Sequence, residues 1–255
     1  MSIVKTEIPI LEYDTDPEAV IMPDHEQIDL RLPEKAVFAF LGNEVDCFAR
    51  AHQAKIAAHF ISATKNYPIY ILNVDGHEIA LAQAPVGASA AAQILDWLIS
   101  YGVREVISGG SCGVLNELDE NVFLVPSKAL RDEGTSYHYL PPSRFVEVSP
   151  VARSAIKKAL EKHGLNYAEV TTWSTDGFFR ETKEKVEYRK SEGCSVVEME
   201  CSALAACAEL RGAVWGELLF TADTLADTER YDERNWGEDS VAFALQLCIE
   251  SVLNI

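Results

Sequence analysis

Apolar and polar residues alternate in blocks along the chain, and these blocks predict strands alternating with helices. Short apolar runs bounded by turn-forming residues predict strands, whereas apolar residues at intervals of three or four predict helices. The predicted strands cover residues 36–41, 69–74, 78–84, 105–108, 122–125, 168–172, 195–199 and 214–221. The predicted helices cover residues 88–101, 151–163, 183–190, 202–210 and 239–252. Such alternation predicts a single-domain α/β fold with a central mixed sheet flanked by helices.

Two glycine-containing segments are predicted to be turns. Asp75-Gly76 joins two predicted strands, and this dipeptide favours the two-residue turn of a β-hairpin. The segment Gly109 to Gly113 follows the strand at 105–108, and its small residues predict a tight turn. Because open α/β sheets bind ligands beyond their strand ends, we expect the second turn to border a site.

The chain of 255 residues is predicted to form one domain behind an irregular N-terminal segment. Residues 1–30 carry Pro9, Pro17 and Pro23 among acidic residues, a composition that favours irregular structure. The remainder is long enough to bury one core and contains no repeat or long linker. We therefore expect a lead-in at residues 1–30 and one domain at residues 31–255.

The net charge of −18 and the pI near 4.7 exclude a nucleic-acid or anionic-membrane surface, because either surface needs a positive footprint. No window approaches the roughly 18 apolar residues that cross a bilayer, and the acidic N-terminus does not resemble a signal peptide. The six cysteines form neither a C-x-x-C pair nor a disulfide-like framework, which favours buried, reduced thiols and no structural metal. We expect a cytoplasmic protein.

The segment Glu198-Met199-Glu200 is the most informative part of the chain. A short apolar strand delivers it to the start of a small-residue helix, at the kind of junction where α/β sheets place ligands. A carboxylate there is suited to hold vicinal hydroxyls, and a methionine offers an apolar surface to a sugar ring. The alternative is a surface carboxylate at a helix N-terminus, stabilised by the helix dipole.

Four other segments end strands and are expected to converge with this one on a common site. They are Leu41-Gly42-Asn43, Gly109 to Gly113, Thr175 to Phe179, and Thr221 to Thr224. From about residue 36 to the C-terminus, the order of these segments resembles the nucleoside phosphorylase superfamily. The likeness is greatest to its uridine phosphorylase and hexameric purine nucleoside phosphorylase branch, with the related nucleosidases. Its clearest marks are 197–200, 109–115 and 131–139.

The resemblance implies a three-layer phosphorylase/hydrolase-like fold and cleavage of the ribosyl N-glycosidic bond of a nucleoside. Phosphate is the usual co-substrate, and the products are free base and sugar 1-phosphate. No cofactor or metal is implied, and the partners are a nucleoside, phosphate and further copies of the chain, as a dimer or hexamer. The site must hold the ribose, assist departure of the base and present a nucleophile.

The resemblance also implies roles for individual residues. Glu200 would grip the 2′ and 3′ hydroxyls while Met199 lies along the ribose, and Glu198 would support the base side or a water. Asp223 would donate a hydrogen bond or proton to N7 of a purine, for which burial must raise its pKa. The alternative for Asp223 is a turn cap. Phe178 would stack on the base, although packing against the sheet is an equal account.

Purine is preferred over uridine, because the Gln and Arg that read uracil in relatives are not evident: Thr182 and Glu184 stand near those places. Uridine remains possible.

Phosphate binding is where the sequence departs from the family. Two arginines of relatives are absent, since the corresponding places read Gly42-Asn43-Glu44-Val45-Asp46 and Ser108. Backbone and hydroxyl donors remain for a phosphate cradle, from Gly42, Gly87, Gly110 and Ser111. Two alternatives to phosphorolysis therefore stay open: a nucleosidase that uses water, and a non-catalytic nucleoside-binding homologue.

Overall fold

A ten-stranded mixed sheet forms the centre of the computed structural model, which describes residues 3–255. Its strands are β1 Lys35–Ala39, β2 Lys55–Ile61, β3 Asn66–Val74, β4 His77–Gln83, β5 Glu105–Val114, β6 Phe123–Asp132, β7 Phe145–Glu147, β8 Tyr167–Thr175, β9 Cys194–Glu198 and β10 Val214–Thr224. The α-helices are α1 Asn43–Ala51, α2 Ala88–Ser100, α3 Ser136–Tyr139, α4 Pro150–Lys162, α5 Lys183–Ser191, α6 Cys201–Arg211 and α7 Val241–Leu253.

Parallel and antiparallel pairs both occur in this sheet, and part of it closes on itself. β1 lies parallel to β4 and β5, whereas β2, β3 and β4 form an antiparallel meander. β10 pairs with both β5 and β6, while β9 pairs with both β5 and β8. Because β8 also pairs with β6, strands β5, β9, β8, β6 and β10 form a ring. The end of this ring is where the candidate site lies.

Helices cover the sheet on both faces, as the alternation in β1 illustrates. Ala36 and Phe38 face the core that α2 and α6 share with the sheet. Val37 and Ala39 face the opposite core, which contains residues of α1, α4 and α7. A strand buried on both faces needs an unbroken apolar run, and that is what residues 36–39 provide. The predicted fold class is confirmed.

The segment Gly109 to Gly113 is not a turn, so that prediction was wrong. These residues continue β5, and none of Gly109, Gly110 and Gly113 has a positive φ. Their glycines serve close packing instead: a Cβ on Gly109 would lie 2.5 Å from Cys248 Sγ, and one on Gly110 would lie 3.2 Å from Phe40 Cβ. Composition does not distinguish a glycine turn from a closely packed glycine strand.

The hairpin prediction is confirmed, because β3 and β4 pair up to Val74 and His77 across Asp75 and Gly76, which both have positive φ. Four elements were not predicted, namely β2, β7, α1 and the four-residue helix α3. The strand β2 is mostly exposed, and β7 and α3 have only three and four residues, so none of them carries a strong apolar pattern. The helix α1 begins directly after Gly42, at residues that sequence analysis assigned to a loop.

The described part of the N-terminal segment contains one short 3-10 helix, Pro9–Leu11, before β1. It is tied to the domain by hydrogen bonds from Tyr13 Oη to the carbonyl of Tyr139 and from Arg211 to the carbonyl of Pro17. The boundary at residue 30 stays a prediction. Across residues 3–255, no helix combines the length and apolar character that a bilayer crossing requires.

We predict that Gly109→Ala destabilises the fold, because the added methyl group overlaps Cys248 of α7. Overpacking of this kind lowers the free energy of unfolding by about 1 to 3 kcal/mol. Urea denaturation of Gly109→Ala, Cys248→Ala and the double variant forms a cycle that measures the coupling. If the two substitutions are additive, the close contact between β5 and α7 is not the reason for the glycine.

Candidate active site

Seven of the nine predicted site residues meet at one cavity of about 170 Å³, here called the inner cavity. Its wall includes Gly110, Ser111, Phe178, Glu198, Met199, Glu200 and Asp223. The residues come from the ends of β5, β9 and β10 and from the 3-10 helix that follows β8. The structure brings these strand ends together at one cavity, whereas the segment Leu41-Gly42-Asn43 does not line it. That the cavity is a functional site, and the roles of its residues, stay predictions.

A second cavity of about 440 Å³, the outer cavity, adjoins the first. Phe178, Glu181, Asp223 and Trp236 line both cavities, and Tyr231 lines the outer one. Together they form a continuous cleft within the size range of small-molecule sites, roughly 300–1,000 Å³. Phe178 is 42% exposed and takes no part in the core, so its ring is available to a ligand.

Glu198 caps helix α6. Its Oε2 accepts hydrogen bonds from the backbone N–H groups of Glu200 and Cys201, each at 2.6 Å. Its Oε1 accepts from the hydroxyls of Thr172 at 3.1 Å and Ser174 at 2.6 Å. These four hydrogen bonds satisfy the roughly four lone-pair sites of a carboxylate. Burial raises the pKa of Glu198, and these hydrogen bonds oppose the shift.

Glu200 is the N-cap residue of α6, but its side chain makes no capping hydrogen bond. Glu198 accepts from the backbone N–H groups at the start of the helix instead. Glu200 Oε1 accepts a hydrogen bond from the N–H of Gly87, the residue before α2. Glu200 is buried, and burial with the neighbouring Glu198 raises its pKa to about 8. The carboxyl of Glu200, buried at the cavity wall, is therefore available to hydroxyl donors, and these would stabilise its charged form.

Asp223 reaches the cavity through an irregularity near the end of β10. The register between β10 and β5 shifts between Thr221 and Thr224, and such irregularities re-aim side chains. Gly113 of β5 leaves room for the carboxyl, since a Cβ there would lie 3.3 Å from Asp223 Oδ1. Burial raises the pKa of Asp223, while Tyr231 and Arg234 oppose that shift. The residue thus holds its proton to higher pH than an exposed aspartate.

Two glycines predicted as phosphate donors lie elsewhere. Gly42 precedes α1 with a φ of 54° and does not line either cavity. The N–H of Gly87 is donated to Glu200. Gly110 and Ser111 do line the inner cavity, and Ser111 is exposed. Of the four residues predicted to cradle a phosphate, two therefore line the cavity. That a phosphate binds there stays a prediction.

Glu217 and Glu181 line the inner cavity but were missed by sequence analysis. Glu217 is 2% exposed, its Oε2 has no hydrogen-bond partner within residues 3–255, and burial raises its pKa well above the usual range. A lone carboxylate in the apolar strand Trp215 to Phe220 was an available signal. Glu181 stands among charged residues that read as a solvated helix start, so no signal marked it.

The lining of the inner cavity is acidic. Five carboxyl groups border it, from Glu181, Glu198, Glu200, Glu217 and Asp223, and no Lys, Arg or His of the described chain does so. Arg234 lies behind Asp223, where its guanidinium donates to the carbonyls of Ala222 and Leu118. No group of His, Cys, Asp and Glu within residues 3–255 is arranged to hold a metal ion.

The polar segment 131–139 is hydrogen-bonded to the start of helix α6, next to the inner cavity. Arg131 donates to Ser136 Oγ, Ser143 Oγ and two backbone carbonyls, so its guanidinium is used within the loop. Glu133 accepts from Ser202 Oγ at 2.9 Å and so links this loop to the start of α6. His138 is exposed.

The raised pKa of Glu200 predicts a pH-dependent cost to stability. The folded state holds a proton that the unfolded state releases between about pH 4.5 and 8, so stability falls as pH rises through this window. Glu200→Gln should therefore become more stable relative to wild type at pH 8 than at pH 6, by on the order of 1 to 3 kcal/mol. Urea denaturation at both values measures this, with the exposed Glu209→Gln on the same helix as control. A difference that does not change with pH contradicts the raised pKa.

Known proteins with related sequences or folds carry out two kinds of reaction. The chain is 28% identical over 156 residues to an uncharacterised protein of Acanthamoeba polyphaga mimivirus, covering 61% of the chain and 58% of that protein. It is 24% identical over 160 residues to a guanosine phosphorylase of Halorubrum lacusprofundi, covering 61% of the chain and 65% of that enzyme. The matched part thus spans less than two thirds of either relative.

Two solved structures share the fold. An AMP nucleosidase from Bacteroides thetaiotaomicron has a TM-score of 0.71 at 23% identity, covering 87% of this chain and 88% of its own. A purine nucleoside phosphorylase from Toxoplasma gondii, in complex with immucillin-H, has a TM-score of 0.74 at 17% identity, covering 87% and 90%. Residues 34–254 match the model of the phosphorylase superfamily. The chain therefore belongs to this superfamily, which contains both nucleoside phosphorylases and nucleosidases.

Proposed function

We propose that this protein cleaves the ribosyl N-glycosidic bond of a purine nucleoside and transfers the ribosyl group to water. The carrying observation is that Glu200 and Asp223, buried acids with raised pKa, line one cavity that no cation of the described chain borders. The ribose becomes oxocarbenium-like as the bond breaks, and negative charge collects on the base. An acidic cavity stabilises the first change, and a protonated acid assists the second.

Glu200 is proposed to bind the 2′ and 3′ hydroxyls of the ribose. The hydrogen bond from Gly87 fixes one oxygen of its carboxyl, while Glu198 fixes the start of the helix that carries it. Two hydroxyl donors would lower the raised pKa of Glu200, because hydrogen bonds to a carboxylate favour its charged form. Met199 lines the same wall and is suited to lie along the ring.

Asp223 is proposed as the acid that protonates N7 of the base. It lines both cavities, so a ribose in the inner cavity and a base in the outer cavity would place the scissile bond beside it. Burial raises the pKa of the carboxyl, which is the direction that a general acid near neutral pH requires. Phe178 and Trp236 also line both cavities and are placed to contact the faces of the base.

Water is proposed as the acceptor because of the charge of the lining. Phosphate binding usually relies on charge-assisted bonds from Arg or Lys, and here five carboxyl groups surround the space. Water bears no charge, and Glu217 Oε2, which has no hydrogen-bond partner in the described chain, is available to hold it. Phosphate is the second candidate, supported by Gly110 and Ser111 on the same wall.

We predict that the protein releases free base from inosine or guanosine at the same rate with and without phosphate. Base release would be followed by absorbance, and the sugar product would be identified as ribose or ribose 1-phosphate. Release that requires phosphate and yields ribose 1-phosphate would replace hydrolysis by phosphorolysis. Binding without base release across purine nucleosides and uridine would favour the non-catalytic alternative.

The control for this assay ties base release to the cavity. Asp223→Asn removes the proposed acid and should lower kcat by on the order of a hundredfold to ten-thousandfold. The matched variant Asp239→Asn changes an exposed aspartate just before α7 and should leave kcat unchanged. Equal rates in all three proteins would assign the release to a contaminating enzyme.

A further inference from the structure

The loop at residues 225–237, directly after β10, folds back and pairs with the end of that strand. The N–H of Thr224 donates to the carbonyl of Asp232 at 2.9 Å, and the N–H of Asp232 donates back to Thr224 at 3.4 Å. Residues one step away from such an antiparallel pair point to a common face, so Asp223 and Tyr231 are diagonal neighbours. Both line the outer cavity, as does Leu225, which agrees with this placement.

Hydrogen bonds outside the cavities hold the loop in this position. Glu120 Oε1 accepts from the N–H of Asn235 at 3.0 Å and from the N–H of Gly237 at 2.7 Å. The guanidinium of Arg234 donates to the carbonyl of Leu118 at 2.7 Å. The loop is therefore fixed at both ends, and its side chains keep a defined position relative to β10.

The hydroxyl of Tyr231 is hydrogen-bonded to the carboxyl of Asp223, a contact that the proposed mechanism does not use. A hydroxyl that donates to a carboxylate stabilises the charged form, so Tyr231 opposes the rise in pKa that burial causes in Asp223. Burial and the charge of Asp223 raise the pKa of Tyr231 in turn. The phenol therefore keeps its proton and remains the donor.

We propose that Tyr231 is a positioning residue, which donates a hydrogen bond to one oxygen of Asp223 and so leaves the proton on the other oxygen for the base. This inference rests on the proposed function and adds a residue to it. As the N-glycosidic bond breaks, its electron pair passes to the base and the proton moves from Asp223 to N7. The carboxylate that remains accepts a stronger hydrogen bond from Tyr231 than the neutral acid did, which favours the transfer.

Other titratable and charged groups surround this pair and bear on its pH dependence. They are Asp227, Glu233 and Arg234 of the loop, Cys112 of β5, Glu181 and Lys183 at the start of α5, and the other three glutamates of the inner cavity. Glu181 matters most for a pH test. Burial and the charge of Asp223 raise its pKa to about 7, and its own charge acts on Tyr231.

The test compares pH profiles of kcat/KM for inosine between wild type, Tyr231→Phe and the control Tyr188→Phe. Tyr188 is an exposed tyrosine of α5 that lines neither cavity, so its variant should match wild type. For Tyr231→Phe we expect a plateau about ten- to a hundredfold lower, since a hydrogen bond to a charged group is removed. The alkaline limb, which reports loss of the proton from Asp223, should move up by about one to two pH units.

The direction of this shift separates positioning from a structural defect. A structural defect lowers activity without raising the pKa of Asp223, so an alkaline limb that stays in place overturns the inference whatever the rate. The same profiles in a Glu181→Gln background exclude a contribution from Glu181. We expect the shift to persist there, and its disappearance would also overturn the inference.

If wild type releases no base from any nucleoside, the proposed function fails separately. Carbon-13 NMR of the aspartate carboxyls then measures the pKa of Asp223 directly, with its signal assigned by its loss in Asp223→Asn. A higher pKa of Asp223 in Tyr231→Phe than in wild type supports positioning by Tyr231. An equal or lower pKa overturns it.

Discussion

The hydrogen bonds that Glu198 accepts from the N–H groups of Glu200 and Cys201 are the constraint on which the site depends. Helix α6 begins at the end of β9 with unpaired N–H groups, and one buried carboxylate satisfies two of them. Glu200 is therefore released from capping and directed to Gly87 and the cavity. Ser174 and Thr172 hold the other oxygen of Glu198, so the junction is fixed to β8 as well.

The same junction belongs to a cavity lining that groups five carboxyl groups and includes no cation of the described chain. Burial and neighbouring carboxyls raise the pKa of Glu200, Glu181 and Glu217, so each favours its protonated form more than an exposed glutamate does. Perturbed carboxyls grouped in a cleft are typical of functional sites. Under the proposed function, a carboxyl that ionises once a ligand supplies hydrogen-bond donors would favour an oxocarbenium-like ribose and disfavour a phosphate dianion.

The sequence predicted the fold class and most of the candidate site because the relevant signals are local. The strand at 195–199 followed by a small-residue helix can be read directly, and it places Glu198, Met199 and Glu200. The turn at Gly109 to Gly113 was wrong because glycine also permits close packing, and the sequence does not show that Cys248 lies against it. Glu181 acquires its surroundings from Asp223 and Trp236, more than forty residues away, so no local pattern identifies it.

The central claim is that Glu200 binds the ribose hydroxyls, and a substrate–variant cycle tests it most directly. The measurement is kcat/KM for inosine and for 2′,3′-dideoxyinosine, with wild type and with Glu200→Gln. The ratio of kcat/KM for inosine to that for 2′,3′-dideoxyinosine is compared between wild type and variant. The difference in intrinsic lability of the two nucleosides cancels in this comparison. We predict that the preference for inosine falls by about ten- to a hundredfold in the variant. An unchanged preference would show that Glu200 does not contact the sugar, and the account would be contradicted.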